Sequence, residues 1–163
     1  MAKFSVTGRE SGASDLGAIV PVEGEYLFPF GVSPNDMLRR HRTAQEGLEP
    51  EVMSRTVQMG NWMEDAIRHQ FYEDFGVLVS SVDEGFRAED YNMVASLDGL
   101  INRGKDPILI TDHRGRTHEL TGVICVDFKF PIYTPKDPDA LHYLLQMQGQ
   151  MDAAHCHHAI LAQ

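Results

Sequence analysis

The sequence predicts an α/β fold in which helices flank a mixed central β-sheet. Residues 51–75 carry apolar side chains at helical spacing, residues 77–127 form short β-branched or alternating runs, and a further helix and strand close the chain. Each kind of element has an apolar face to bury, and helices packed on a sheet bury both kinds. We therefore expect a single layered domain over residues 1–163.

Helices are predicted over residues 16–20, 34–42, 51–75 and 139–154. Residues 11–15 are typical of a turn and helix cap before the first of them. Ser33 followed by Pro34 is an N-cap with proline at the first helical position, which begins the second. Gly76 ends the third, because glycine readily takes the left-handed conformation that closes a helix.

Strands are predicted over residues 77–79, 92–97, 107–112, 123–128 and 159–162. Each run is short, rich in β-branched or alternating apolar residues, and bounded by Asp, Gly or Arg turns. The dipeptide Arg114-Gly115 is typical of a hairpin tip. The order of helices, successive strands, a helix and a last strand favours a mixed sheet.

Composition and charge narrow the class of protein. Apolar residues make up 42% and aromatic residues 9% of the chain, as in a globular protein with a packed core. The sequence has no apolar run that spans a membrane and no signal-peptide pattern, so we expect a cytoplasmic location. The formal net charge of −10 disfavours indiscriminate binding to nucleic acid, although carboxylates that hold divalent cations reverse the field locally.

Cysteine and histidine residues do not predict a zinc site. Cys125 and Cys156 lie far apart without paired spacing, which argues against a disulfide framework and a structural zinc site. Cys125 stands in an apolar run and is expected to be a buried thiol. The segment His155-Cys156-His157-His158 is interpreted as the entry to a strand, because consecutive residues of an extended chain point to alternate sides.

Glu64 and Asp98 are two acidic residues that lie within or directly after apolar stretches of the sequence. Glu64 falls within the apolar stripe that Ile67 and Phe71 define on the third helix, so it must be paired with an Arg or bind a cation. Asp98 follows an apolar strand and precedes Gly99, which would let the chain turn sharply and leave the carboxylate at the strand edge. The alternative for Asp98 is an ordinary turn.

Asp127 and Lys129 interrupt the end of the apolar run over residues 123–128. Because side chains alternate along a strand, these two share one face while Val126 and Phe128 take the other. An acid beside a base on a core strand suits a metal ligand next to a group that orients an attacking water. The alternative is a structural ion pair at a strand end.

Glu64, the acid-glycine pair and Asp-x-Lys together resemble the PD-(D/E)XK nucleases, with Leu97 in place of the nominal proline. The flanks resemble the YqaJ-like viral recombinases, which include the lambda-type exonucleases. Similar motifs lie at residues 9–15 (G-x-S-D), 60–64 (G-x-x-x-E), 96–99 (S-P-D-G), 126–131 (E-x-K-x-P) and 143–151 (Y-x-x-Q-V-Q-x-x-M). The resemblance implies a restriction-endonuclease-like core. Asp127 stands where this family more often has Glu, and relatives usually continue into further helices, so the chain is a compact member or a fragment.

The resemblance also implies a metal site. Asp98, Asp127 and the main-chain carbonyl of Phe128 would hold one Mg²⁺, which Mn²⁺ could replace, and Glu64 with Asp98 would hold a second ion or its water. Lys129 would position the water nucleophile and offset charge on the scissile phosphate. The family resemblance further assigns catalytic roles to Gln146, as a partner of that water or of the lysine, and 5′-phosphate or DNA-backbone contacts to Arg9, Ser14, Arg39 and Arg42.

The implied function is Mg²⁺-dependent 5′-to-3′ exonuclease action on double-stranded DNA ends, releasing 5′-mononucleotides during phage-type recombination. The resemblance implies a phage-encoded or bacterial protein that works with a single-strand annealing partner and assembles as a homo-oligomer, by similarity a trimeric ring. The alternatives are another endonuclease or nickase of the PD-(D/E)XK type, and an inactive DNA-binding scaffold.

Overall fold

The computed structural model describes residues 11–27, 33–46, 55–88, 90, 92–130 and 137–163. Its architecture is mixed α/β, with helices against mixed sheets, which confirms the predicted fold class. The helices are α1 (Leu16–Ile19), α2 (Pro34–Gln45), α3 (Arg55–Phe75) and α4 (Asp137–Ala153), and a short 3-10 helix (Ala13–Asp15) precedes α1. Within the described residues no helix combines the length and the apolar character needed to cross a bilayer.

The strands of the described residues form two three-stranded sheets and one hairpin. They are β1 (Ser11–Gly12), β2 (Gly85–Arg87), β3 (Met93–Ser96), β4 (Gly99–Asn102), β5 (Ile108–Thr111), β6 (Thr117–Leu120), β7 (Val123–Phe128) and β8 (His158–Ala162). In the first sheet β3 lies between β1, to which it is parallel, and the antiparallel β2. In the second, β7 lies between the antiparallel β4 and the parallel β8. Strands β5 and β6 pair as the hairpin.

Two predicted elements differ from the structure. Residues 77–79 do not form a strand; the chain pairs with β4 only at Ser80, whose N–H and C=O exchange hydrogen bonds with Leu100 at 2.9 Å each. The predicted turn at Gly99 is instead the start of β4. The predicted helix start near residue 51 lies outside the described residues, and α3 is helical from Arg55.

Strand β7 is the centre of the core because both of its faces are covered. Ile124, Val126 and Phe128 face a cluster that includes Phe71 of α3. Cys125, on the opposite face, joins a cluster with residues of α4 and the loop that follows it. The alternation of side chains along a strand places Asp127 on the same face as Cys125, toward α4. The Asp127 carboxylate therefore lies inside the protein.

Candidate active site

Asp127 and Lys129 form an ion pair at the end of β7. The Asp127 side chain is almost fully buried, with a relative exposure of 1% for the residue. The Lys129 ammonium nitrogen Nζ lies 2.7 Å from Asp127 Oδ2. The predicted shared face is therefore present, and a buried carboxylate without such a partner would be strongly unfavourable.

Asp98 lies in the short connection between β3 and β4 and approaches the same lysine. Its Oδ2 accepts a hydrogen bond of 2.8 Å from the main-chain N–H of Phe128 and lies 3.8 Å from the Lys129 Nζ. The Asp98 carboxylate, from the connection between β3 and β4, and the Asp127 carboxylate, from β7, thus converge on one cation. The glycine after Asp98 is required by close packing: a Cβ at Gly99 would collide with the Val79 side chain.

The charges of the site perturb one another. Burial raises the pKa of Asp98, and the nearby Asp127 carboxylate raises it further, against the opposing effects of Lys129 and the Phe128 N–H. Burial alone would lower the pKa of Lys129, but the Asp127 and Asp98 carboxylates outweigh burial and the pKa is raised. Both shifts show that the two acids and the lysine share a partly desolvated space.

Glu64 is half-buried on α3, one helical turn before Arg68. Its carboxylate contributes to the raised pKa of Lys129, so it stands within electrostatic range of the ammonium. Across the described ranges, however, no three His, Cys, Asp or Glu residues lie together as a preformed metal cluster. The three predicted acids are thus neighbours of one lysine without forming a closed triad.

Gln146 is buried on α4 and reaches the site through Asp127. Its Nε2 lies 3.3 Å from Asp127 Oδ1 and 3.4 Å from Asp127 Oδ2, so the amide donates to the carboxylate, and its contact with the attacking water or with Lys129 stays a prediction. Tyr143, one turn earlier on α4, is also buried next to the ion pair; burial raises its pKa, and the Lys129 charge opposes that rise.

Two residues outside the predicted catalytic set contact Asp127 or the segment that carries Asp98, and sequence reasoning missed the first of them, Arg68. Arg68 of α3 donates hydrogen bonds to the main-chain oxygens of Asp98 (2.8 Å) and Val79 (3.2 Å), and its guanidinium lies 5.0 Å from the ring centroid of Phe128. Gln150 of α4 donates to Asp127. A signal existed in the spacing, because each residue follows a predicted site residue, Glu64 or Gln146, by one helical turn.

The residues present fit a divalent ion of the magnesium type by their chemistry. Asp98 and Asp127 offer carboxylate oxygens, which such ions prefer, and the main chain at Phe128 adds a carbonyl nearby. Both carboxylates already face a common positive charge, the Lys129 ammonium. A second ion held by Glu64 with Asp98 stays a prediction.

The predicted phosphate-binding residues are partly described. Ser14 is exposed in the 3-10 helix and is not its N-cap; the N-cap is Gly12, whose N–H bonds Asp15 Oδ2 at 3.1 Å. Arg39 is exposed on α2 and paired with Asp36 at 3.2 Å, and Arg42 is exposed on the same helix. Arg9 lies outside the described residues. The contacts of these side chains with a 5′-phosphate or the DNA backbone therefore stay a prediction.

In a mixed α/β fold, two aspartates and a lysine lie together at the ends of core strands, as the resemblance to the PD-(D/E)XK nucleases implies. The chain belongs to the family of YqaJ-like viral recombinase domains, whose model matches residues 7–157. No match was found among curated proteins.

The fold is similar to crystal structures of LHK-Exo, an alkaline exonuclease from Laribacter hongkongensis. The structure in complex with dAMP is 18% identical with a TM-score of 0.55, over 92% of this chain and 66% of that chain. A second structure is 17% identical with a TM-score of 0.55, over 98% of this chain and 73% of that chain. This chain thus spans less than the full length of either neighbour. The likeness confirms the restriction-endonuclease-like fold.

Proposed function

We propose that this protein is a metal-dependent deoxyribonuclease that removes 5′-mononucleotides from the 5′ ends of double-stranded DNA. The observation that carries the proposal is the convergence of Asp98 and Asp127 on Lys129, at 3.8 and 2.7 Å. Membership of the recombinase family and the fold shared with an alkaline exonuclease support the same reaction class. A structural ion pair would need only one of the two aspartates.

Each residue has a role that follows from its position. Asp98 and Asp127, with the main-chain carbonyl of Phe128, would hold a divalent ion. When bound, such an ion supplies charge to offset the phosphate oxygens and increases the acidity of a water molecule. The half-buried Glu64 lies close enough to add negative charge at the edge of this site.

Lys129 orients the attacking water and offsets the charge that develops on the scissile phosphate. Its ammonium is held between two carboxylates, and its raised pKa keeps it charged at neutral pH. A preorganised cation in a partly desolvated space stabilises developing negative charge better than a mobile surface lysine does. Gln146 keeps the Asp127 carboxylate oriented through its amide.

The substrate and partners belong to the same proposal. Double-stranded DNA ends are the substrate, with Arg9, Ser14, Arg39 and Arg42 as candidate contacts to the 5′-phosphate or backbone. A single-strand annealing protein would take up the exposed strand. We also propose that the protein assembles as a trimeric ring and acts in the cytoplasm of a bacterial host.

The test compares linear duplex DNA, labelled at one 5′ end, with a covalently closed circle of the same sequence. With Mg²⁺ or Mn²⁺ the wild type should release labelled mononucleotide from the linear duplex and leave the circle intact. Lys129→Met should lower the rate by about 10²–10³-fold, the loss typical of removing one preorganised charge-stabilising group. Asp98→Asn should lose activity at any metal concentration.

Matched controls are Lys105→Met and Asp106→Asn, which make the same chemical changes at exposed positions. They should retain wild-type rates. Cleavage of the closed circle would replace the proposal with an endonuclease or nickase. Binding of DNA without hydrolysis, unchanged by Lys129→Met, would replace it with a scaffold.

A further inference from the structure

Gln150 of α4 is the most buried polar residue of the site after Asp127, with a relative exposure of 2%. Its side-chain nitrogen Nε2 lies 2.9 Å from Asp127 Oδ1 and 3.0 Å from the main-chain oxygen of Ser96. Gln146, one turn earlier, contacts the same carboxylate at 3.3 and 3.4 Å. Gln150 therefore makes the shorter contact with Asp127, and it also bonds a second segment through Ser96.

The orientation of the Gln150 amide is dictated by its partners. Both Asp127 and the Ser96 carbonyl are acceptors, so the NH₂ group must face them and a flipped amide would place oxygen against oxygen. In the described part of the chain, the buried Oε1 of Gln150 has no hydrogen-bond donor. The amide nitrogen thus uses both of its hydrogens, one on Asp127 and one on Ser96.

The two partners of Gln150 belong to different sheets. Ser96 ends β3, two residues before Asp98, and Asp127 lies near the end of β7. Strands β3 and β7 are not hydrogen-bonded neighbours. One amide group thus joins the strand that leads to Asp98 to the strand that carries Asp127, and together with the Phe128 N–H bond to Asp98 it helps fix how the two carboxylates are placed.

We infer that Gln150 is a positioning residue that holds Asp127 at the correct distance and orientation relative to Asp98 for binding a divalent cation. The inference rests on the proposed function, since it assigns that cation to the two aspartates. Groups that hydrogen-bond a metal ligand fix its orientation, and their loss commonly weakens metal affinity without removing any ligand. Gln150 does not touch the reacting atoms in this scheme; it acts through Asp127.

The test measures Mn²⁺ binding to the full chain without DNA, from the electron paramagnetic resonance signal of the free ion. Gln150→Met keeps the length of the side chain and removes both donors. It should weaken Mn²⁺ affinity by about 10–100-fold, and half-saturation of DNA hydrolysis by Mn²⁺ should rise in parallel. Gln70→Met is the matched control, because Gln70 is exposed on α3, where it donates to the neighbouring Asp74.

Thermal unfolding of each variant separates positioning from stability. A purely structural Gln150 would lower the melting temperature and leave Mn²⁺ affinity within twofold of wild type, which would overturn the inference while the proposed function stood. If Gln150→Met does not fold, Gln150→Asn replaces it, since the shorter amide cannot reach both acceptors and the same loss is expected. Asp127→Asn should not bind Mn²⁺. If the wild type also binds none, both the proposed function and the inference are overturned.

Discussion

The side chain of Arg68 offers a direct test of how the site is supported, through the substitution Arg68→Met. Its guanidinium donates to the Asp98 and Val79 main-chain oxygens at 2.8 and 3.2 Å and lies 5.0 Å from the centroid of the Phe128 ring. Methionine keeps most of the apolar stem and removes both donors and the charge. The change therefore isolates the polar contacts from the packing of the side chain.

The expected loss follows from these contacts. Two hydrogen bonds from a charged donor contribute about 1.5–3 kcal/mol each when well formed, and the cation–π contact adds about 0.5–1 kcal/mol at a partly exposed site. Because the side chain is only half-buried, we take the lower end of each range, which gives an expected loss of about 3.5 kcal/mol in the free energy of unfolding. Such a loss is a large fraction of the stability of an ordinary domain, about 5–15 kcal/mol.

The measurement is urea denaturation followed by far-ultraviolet circular dichroism, with midpoint and slope compared among variants. Arg68→Lys retains a cation but cannot reach both oxygens in the same fork, so it should lie between wild type and Arg68→Met. Arg103→Met, at an exposed position, should stay within about 0.5 kcal/mol of wild type. An Arg68→Met variant as stable as Arg103→Met would refute the view that this arginine ties α3 to the connection at Asp98.

Three further predictions concern packing, the hairpin and a thiol. Gly149→Ala should destabilise by about 1–3 kcal/mol in thermal unfolding, because a Cβ there would lie 2.6 Å from Leu16 Cδ1 and 3.1 Å from the Ala13 Cβ, which cannot rotate away; an unchanged melting temperature would contradict this. The Asp112 carboxylate accepts from backbone and side-chain groups of Arg116, which lowers its pKa, so it stabilises the hairpin above its ordinary pKa near 3.8 and this stabilisation disappears as the pH falls further. Amide exchange in Asp112→Asn should be faster at pH 7 and equal to wild type only in strong acid. Burial raises the pKa of the Cys125 thiol to about 12, so iodoacetamide at pH 8 should label it only after denaturation.

Much of the fold was predictable because its signals are local. Strand β7 has the bounds predicted for it, and α4 differs from its predicted bounds by only one or two residues at each end. The strand predicted at residues 77–79 was wrong because local signals are not sufficient there. Its β-branched residues suit a strand, but a strand also needs a partner along its length. Only Ser80 finds one, in a single bridge to Leu100.

The candidate site likewise contains some features that the sequence predicts and others that only the packed fold reveals. Alternation along a strand is enough to place Asp127 and Lys129 on one face, and helical spacing is enough to place Gln146 toward the core. Period and residue type are properties of short stretches of chain, and any fold that keeps the strand and the helix keeps these relations.

The convergence of Asp98 with Asp127 required tertiary structure, because it depends on how two sheets meet where β3 passes into β4. The same holds for the contacts of Arg68 and Gln150, which join segments far apart in sequence through main-chain oxygens that carry no sequence signal. Hydrogen bonds to backbone carbonyls can be made by any residue type at the accepting position, so only the packed molecule reveals which carbonyl is within reach.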